Sequence, residues 1–563
     1  MIYRKKLFNY FCQRDRGWIL TLLAAVCLVY LPFLGSPFIF DDLPFFSDAV
    51  VQRYATSLFQ FDLRWLPNAT LGWTYAIFSD IDTHFYHLGN TLLHAGNAIL
   101  LFYLLRQLAG AVMDDYKNSR AVIWGAWFGA LVFACHPVAV YAVGYVIERS
   151  ILMATLFALV MQLAYVRGLL TGQKRWLVLA VIAYFLAGFS KEHSVLMPAV
   201  LAALTILLRD KNKLSKRALC LAWAAFVAIA VLLMLSAKGV IGTVYEPLAA
   251  TMFNQQGLDV SAPMLHLLSA LTQSGLFFKY LLLWWLPNPA WMSVDMREPF
   301  ITTLTAWQSW VGVLGFMAYG ALGCRLLLRG GMSGLIGLAL LYPWLLFGVE
   351  LSTIRVQEPF VLYRSYLWLP GMMLFFPWLL IKLALSPSAK LRAGVAEWLP
   401  SRNTLLTLAG IVLLLIPLAW NRLWVFADNY RLWNDAALLL PSERVWGADR
   451  VFYNRAESLA LIGKWPEAAS DFERAVALSP TFSPIHKELG VAYANSKRYK
   501  EAVAQFDAAI ALDPEYAQAY YYKGMAFKMQ HADEQAMKQM EKSCELRYAM
   551  ACVIVKMAQL GKS

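Results

Sequence analysis

Charge is scarce in this sequence. Asp, Glu, Lys and Arg make up 15% of its 563 residues, against about 25% in soluble domains. With 60% hydrophobic residues and a mean hydropathy of +0.51, the chain reads as a polytopic membrane protein up to about residue 420. No CxxC pair occurs among the seven cysteines, which excludes redox and zinc motifs of that spacing. Cys27, Cys135, Cys220 and Cys324 lie in or beside apolar runs and read as core fillers. Cys544 and Cys552 are close enough in sequence to leave a disulfide open. P-loop, GxSxG, HExxH and Rossmann glycine patterns are also missing from any convincing context. The net charge of +13 and the 21 tryptophans fit basic loops and aromatic belts at a membrane. That basic charge argues for anionic lipid rather than nucleic acid.

What is present is a series of long apolar runs. A span needs about 20 such residues, and candidates are 18–34, 86–106, 121–135, 150–166, 176–190, 194–208, 218–237, 307–328, 333–349, 363–383 and 404–421. The first follows a basic N-terminus and is read as an uncleaved span. Basic residues cluster at Arg4/Lys5/Lys6/Arg14/Arg16, Arg167/Lys174/Arg175, 209–217, Arg325/Arg329 and Lys382/Lys390/Arg392. Placing all of them in the cytoplasm is self-consistent with eleven spans. The segment 264–287 would invert every later loop if it crossed. It is therefore expected to be interfacial or re-entrant, with Trp284, Trp285 and Trp291 at the boundary. The outer loops then carry Asp41, Asp42, Arg64, His84, His87, Asn90, His94, His136, Glu148, Arg149, Lys191, Glu192, His193, Glu350, Arg355, Glu358 and Arg364. Ionisable groups at membrane depth pair with one another or bind something. A set drawn from five loops on one side suggests a cavity.

The C-terminal part changes character at Val451. Ala468, Ala502 and Ala536 are 34 apart, and so are Ala475 and Ala509, Leu478 and Leu512, and Pro480 and Pro514. This is the tetratricopeptide period. The expected fold is thus all-α: a membrane bundle over 1–421, a connector over 422–450 and a repeat solenoid over 451–563.

Two adjacent acids, Asp41 and Asp42, follow the first span almost directly, in Phe38-Ile-Phe-Asp-Asp-Leu-Pro44. Taken alone they read as a solvated turn. His87 and His94 are two helical turns apart, with His84 nearby, but no third ligand has fixed spacing. Capping, packing or substrate hydrogen bonds are favoured over metal, and no metal site is assigned.

The order of motifs carries a resemblance. Phe40-Asp-Asp42, Tyr86-His-Leu-Gly-Asn-Thr-Leu-Leu-His94, the run from His136-Pro to Glu148-Arg149, Ser190-Lys-Glu-His193 with Pro198, Glu358-Pro-Phe-Val-Leu-Tyr-Arg-Ser-Tyr366 through Pro370, and the paired repeats together resemble the transmembrane, tetratricopeptide-containing O-mannosyltransferases and their bacterial relatives. These are GT-C glycosyltransferases that use polyprenyl-phosphate sugars. The Tyr363-Arg-Ser-Tyr366 variant is more similar to bacterial type IV pilin glycosyltransferases, the pilin arabinosyltransferases among them.

The resemblance implies a roughly eleven-span GT-C bundle in a bacterial inner membrane, with a cytoplasmic N-terminus and a periplasmic site and solenoid. It implies inverting transfer to Ser/Thr hydroxyls of an exported protein, with pilin as the expected acceptor. Asp41 and Asp42 would be the catalytic acids, and which of them is the base stays open. Arg149, Lys191 and Arg364 would hold the donor phosphate, and Glu148, Glu192, Glu358, His193 and Tyr363 the donor's surroundings. Arg64, His87 and Tyr366 would meet the acceptor. The solenoid would dock that acceptor, with Tyr453, Tyr493, Tyr516, Tyr520, Tyr521 and Tyr522 as contributors. No cofactor is certain, since a phosphate-linked donor does not demand the divalent cation that Asp41 and Asp42 are able to ligate. Two other readings stand beside this one: a non-enzymatic anchored repeat platform, and a GT-C enzyme acting on glycan or lipid. In the structural alternative, Glu148–Arg149, Lys191–Glu192 and Glu358–Arg364 are ion pairs that staple loops.

Overall fold

A computed structural model describes residues 2–560 except 48–49, 57–61, 79–81, 114–118, 238–260, 306, 357, 386–399 and 444, and no side chain before residue 15. The side chains of Arg4, Lys5, Lys6, Cys12 and Arg14, and residues Lys390 and Arg392, lie outside what is described. The described residues are helical almost throughout and contain no strand. By contact they form two units, Met1–Met292 with Phe300–Ala427, and Ser293–Pro299 with Asp428–Ser563.

The first unit is a bundle of antiparallel helices. Eight helices are long and apolar enough to cross a membrane, and nine if the bent pair Arg120–Cys135 and Pro137–Val143 counts as one span. Tertiary contacts define two ends. At the basic end Arg106 pairs with Asp15 at 2.8 Å, Lys211 Nζ meets the Ala111 carbonyl, Arg209 donates to the Leu328 carbonyl at 3.0 Å and Lys213 N to Leu169 O at 2.8 Å. At the other, polar end His87 meets the Ser36 carbonyl, Asn90 donates to the Val143, Tyr145 and Val146 carbonyls, and Lys191 pairs with Glu148. Seven of the long helices and the bent pair run between these ends in alternating direction. The shorter Lys174–Ser190, Glu192–Leu207 and Leu369–Ala384 pack among them, so the described residues hold eight or nine helices of spanning length and composition against the eleven spans expected. Glycines let the rods approach closely. A Cβ on Gly125 would sit 2.4 Å from Pro377 Cα, and one on Gly337 2.2 Å from Leu327 N.

The eighth long helix, Ala262–Trp285, was expected to be interfacial or re-entrant, and by length and composition it is suited to spanning like the others. His266, near its start, meets the Leu351 carbonyl at 3.0 Å, and Trp284, near its end, donates to Ser365 Oγ at 2.9 Å. Segment 351–365 therefore runs alongside this helix over most of its length.

The second unit is a run of helix pairs, Ala448–Leu461 with Trp465–Leu478, Ser483–Asn495 with Tyr499–Leu512, and Ala517–Met529 with Asp533–Glu545, followed by Ala549–Leu560. The alanines at the 34-residue spacing, Ala468, Ala502 and Ala536, are buried between helices, where any larger side chain would force the pair apart. A disulfide joins Cys544 to Cys552. Segment 293–299, remote in sequence, belongs to this unit. Its Asp295 and Arg297 form a buried pair at 2.6 Å, and Arg450 lies 3.8 Å from Asp295. The last bundle helix runs on to Phe426, so the connector is shorter than 422–450 and contains the helix Asn429–Leu438.

The turn inside each pair takes the left-handed conformation, at Gly463 (φ 77°), Lys497 (φ 63°) and His531 (φ 59°). Only the first is the glycine that this conformation favours. An L-residue there costs about 1–2 kcal/mol, and a glycine returns part of that through a freer unfolded chain. Lys497→Gly is expected to stabilise the middle repeat by up to about 1 kcal/mol. Slower amide exchange across 483–512 in the intact protein would show it.

Candidate functional site

The polar end is where the bundle gathers its charges. The turn after the first helix, 39–42, is fixed by Asp42. Its Oδ1 accepts from Ile147 N at 2.7 Å, and its Oδ2 from Ile39 N at 3.2 Å and Val146 N at 3.4 Å. Asp42 is fully buried, so this carboxyl sews the first loop to the turn before helix Arg149–Thr171. Phe40, at φ 48°, makes the sharp reversal that turns the two acids apart. Asp41 is exposed and engaged through its backbone alone: its N–H donates to Tyr145 Oη at 3.0 Å and its carbonyl accepts from Phe45 N at 3.4 Å. Its carboxylate accepts no hydrogen bond from the described residues. Both Asp42 oxygens accept backbone amides. Among the described residues no three His, Cys, Asp or Glu side chains converge to hold a metal.

Burial pushes the Asp42 carboxyl up to about 8. The three backbone N–H groups oppose the shift by favouring the charged form, and the neighbouring Asp41 charge adds to it.

Behind this turn lies a buried ionic row. Lys191 Nζ reaches Glu148 Oε1 and Oε2 at 3.2 and 3.1 Å and Ser150 Oγ at 3.2 Å. It also sits 5.2 Å from the Tyr363 ring centroid, and that ring meets Tyr145 edge-on at 6.2 Å. Burial and the Arg64 charge pull Lys191 below the usual lysine range, while Glu148 and Glu192 act against that. Arg64 forks onto Glu192, with Nε 2.9 Å from Oε2 and the second nitrogen against Oε1. His193 bridges onward, 3.5 Å from Glu192 and 3.3 Å from Glu350. Glu350 is the hub of the row, 3.2 Å from Arg364 and 3.6 Å from Arg355. Arg364 also donates to the Glu358 carbonyl at 3.5 Å.

The pairing differs from the sequence expectation. The observed pairs are Lys191–Glu148, Arg64–Glu192 and Arg364–Glu350, in place of Glu148–Arg149, Lys191–Glu192 and Glu358–Arg364. Neighbouring residues at a helix start point in different directions, so adjacency in sequence did not make them partners.

Three of the assigned residues turn their side chains into the bundle. The Arg149 guanidinium is enclosed, donating to Asn90 Oδ1 and the Tyr86 carbonyl at 2.9 Å each and to Thr70 Oγ1 at 3.5 Å. It clamps helices. His87 is buried with Nε2 3.0 Å from the Ser36 carbonyl. The Tyr366 hydroxyl is buried 2.7 Å from His94 Nδ1 and 3.2 Å from Asn97 Nδ2. Both make hydrogen bonds within the bundle. Conversely, Glu350 and Arg355 were counted among the loop charges without a role. The available signal was an acid at the very end of the apolar stretch Gly331–Leu351.

The fold and the polar end thus define an all-helical bundle of membrane-crossing type, carrying one charged end and continued by repeats. The tetratricopeptide repeat family matches residues 483–516. A segment of 135 residues is 27% identical to the human protein O-mannosyl-transferase TMTC4, covering 22% of this chain and 18% of that relative. The chain therefore matches less than a fifth of that relative's length. Among solved structures, the archaeal oligosaccharyltransferase AglB from Archaeoglobus fulgidus, in complex with an inhibitory peptide and a dolichol-phosphate, is similar over 75% of this chain and 58% of its own, at 15% identity and a TM-score of 0.38. YrrB, a tetratricopeptide protein with an unusual peptide-binding site, is similar over 32% of this chain and 89% of its own, at 20% identity and a TM-score of 0.22.

Asp42 supplies a test of the loop geometry. Its folded pKa lies above its unfolded one, so folding favours the protonated form. The stabilisation is complete below the unfolded value and is lost as pH rises through about 8. The melting temperature of the detergent-solubilised protein is expected to fall between about pH 4 and 8 and to level off above that. Asp42→Asn should remove that segment of the pH dependence. It should also lower stability by about 1–3 kcal/mol, because its NH2 faces a backbone N–H.

Proposed function

We propose that this chain is a membrane glycosyltransferase that takes its sugar from a polyprenyl phosphate and transfers it, with inversion, to Ser or Thr hydroxyls of an exported protein, type IV pilin being the acceptor that the Tyr363–Tyr366 variant favours. The observation that carries the reading is the separation of the two acids: Asp42 spent on holding the turn, Asp41 exposed beside it with an unengaged carboxylate.

In this mechanism the acceptor oxygen attacks the anomeric carbon as the bond to the donor phosphate breaks. The hydroxyl proton passes to Asp41, and polyprenyl phosphate departs with the bonding pair. Asp41 is the general base. Lys191, Arg364 and the part-exposed Arg64 supply positive charge to the departing phosphate, Arg being suited to forked contacts with it. Glu148, Glu192, His193 and Glu350 keep these cations in place, while Tyr363 and the half-buried Glu358 line the donor side. The donor brings its own leaving group, so no nucleotide pocket is required.

The basic end faces the cytoplasm in this reading, and the site and the repeats face the periplasm. The Cys544–Cys552 disulfide agrees, since such bonds persist in oxidising compartments. The repeats dock the acceptor and raise its local concentration.

Asp41→Asn is expected to lower acceptor modification by at least 10²-fold without reducing the amount of protein in the membrane, read by intact-mass analysis of secreted pilin. Full modification by Asp41→Asn would remove the base assignment. Unmodified pilin in cells carrying the wild-type chain would remove the acceptor.

A further inference from the structure

The helix Ala262–Trp285 carries polar side chains on an otherwise apolar rod, and they are spaced with a purpose. His266, Ser269, Gln273, Tyr280 and Trp284 follow one another by three, four, seven and four residues, which puts them on one helical face. Each bonds in order to the loop that runs alongside. His266 meets the Leu351 carbonyl at 3.0 Å. Ser269 Oγ accepts from Arg355 N at 2.9 Å and lies 3.5 Å from the Thr353 carbonyl. Gln273 Nε2 donates to the Pro359 carbonyl at 2.7 Å. Tyr280 Oη accepts from Val361 N at 2.7 Å and donates to Val361 O at 3.1 Å. Trp284 Nε1 donates to Ser365 Oγ at 2.9 Å. Between the bridge residue Ile354 and the 3-10 helix Leu362–Leu367 the segment is irregular and contains Pro359, so regular structure satisfies few of its buried backbone groups. The helix supplies partners to several of them.

We propose that Ala262–Trp285 is a template that sets the conformation of loop 351–365 and thereby the place of Tyr363 and Arg364 in the anion-binding row, with Gln273 and Tyr280 as its positioning residues. The role in donor binding rests on the glycosyltransferase reading; the templating itself does not. Gln273 and Ser269 are fully buried, an expensive location for polar groups on a helix apolar enough to span. Their spacing matches the loop rather than any need of the helix. Val361 shows the mechanism most directly. It is extended (φ −135°, ψ 110°), and one hydroxyl closes on both its N–H and its carbonyl. Arg364 then begins three residues on, where it meets Glu350.

Tyr280→Phe and Gln273→Leu keep the shape of each side chain and remove the bonds. Tyr165→Phe is the control, since its hydroxyl pairs with Thr205 at 2.7 Å inside the bundle. Each variant is made in the full chain and compared by hydrogen–deuterium exchange and by polyprenyl phosphate binding in nanodiscs. Tyr280→Phe and Gln273→Leu are expected to speed exchange at 351–368 by about tenfold or more, with the remaining traverses unchanged, and to weaken polyprenyl phosphate binding by about tenfold. Tyr165→Phe should do neither. Unchanged exchange at 351–368, or a rise spread evenly over the bundle, overturns the template. If the wild-type protein binds no polyprenyl phosphate, the donor reading falls, and the exchange result alone decides the template.

Discussion

Two carboxyls deprived of water hold the polar end of this protein together. Asp42 accepts three backbone N–H groups from two separate loops, and Glu350 receives Arg364, Arg355 and His193. A buried charge or polar oxygen without partners would cost several kcal/mol, so each carboxyl compels distant segments to meet at it. Asp42 joins the first turn to the turn near residue 146. Glu350 joins the end of one traverse to the loops near 193 and 364. The loops at this end are therefore placed by electrostatics as much as by apolar packing, which has little to grip in short irregular segments.

That constraint also creates the contrast on which the functional reading depends. Most charged groups at this end are spent on one another, and Asp41 is left exposed beside Asp42. The same turn that buries one acid presents the other. The cations of the row are held but not all enclosed: Lys191 is sealed under Tyr363, whereas Arg64 keeps a share of its surface open. An incoming anion would meet a preorganised set of donors rather than gather them, which is how electrostatic stabilisation of a leaving group becomes effective.

Much of this was legible in the sequence. Long apolar runs with basic residues between them allow little but alternating helices, and a 34-residue period of small side chains allows little but stacked pairs. The site was legible only as a set of residues. Arg149, His87 and Tyr366 belong to the right loops and motifs, yet their side chains turn into the bundle. Lys191 and Arg364 belong to the same motifs and turn toward the ionic row. A motif names a residue without its rotamer, and one helical step decides which way the side chain faces.

The sequence by itself determined that a helical membrane-type bundle precedes a repeat array, and the repeat register, because each depends on local periodicity and on the cost of placing charge in a bilayer. Only the tertiary structure decided the partners: Glu148 rather than Glu192 for Lys191, Glu350 rather than Glu358 for Arg364, segment 293–299 within the repeat unit, and the face of Ala262–Trp285 that reads loop 351–365. Those choices join residues tens to hundreds of positions apart. They depend on which buried polar groups can reach one another once the helices have packed, and no periodicity along the chain encodes that.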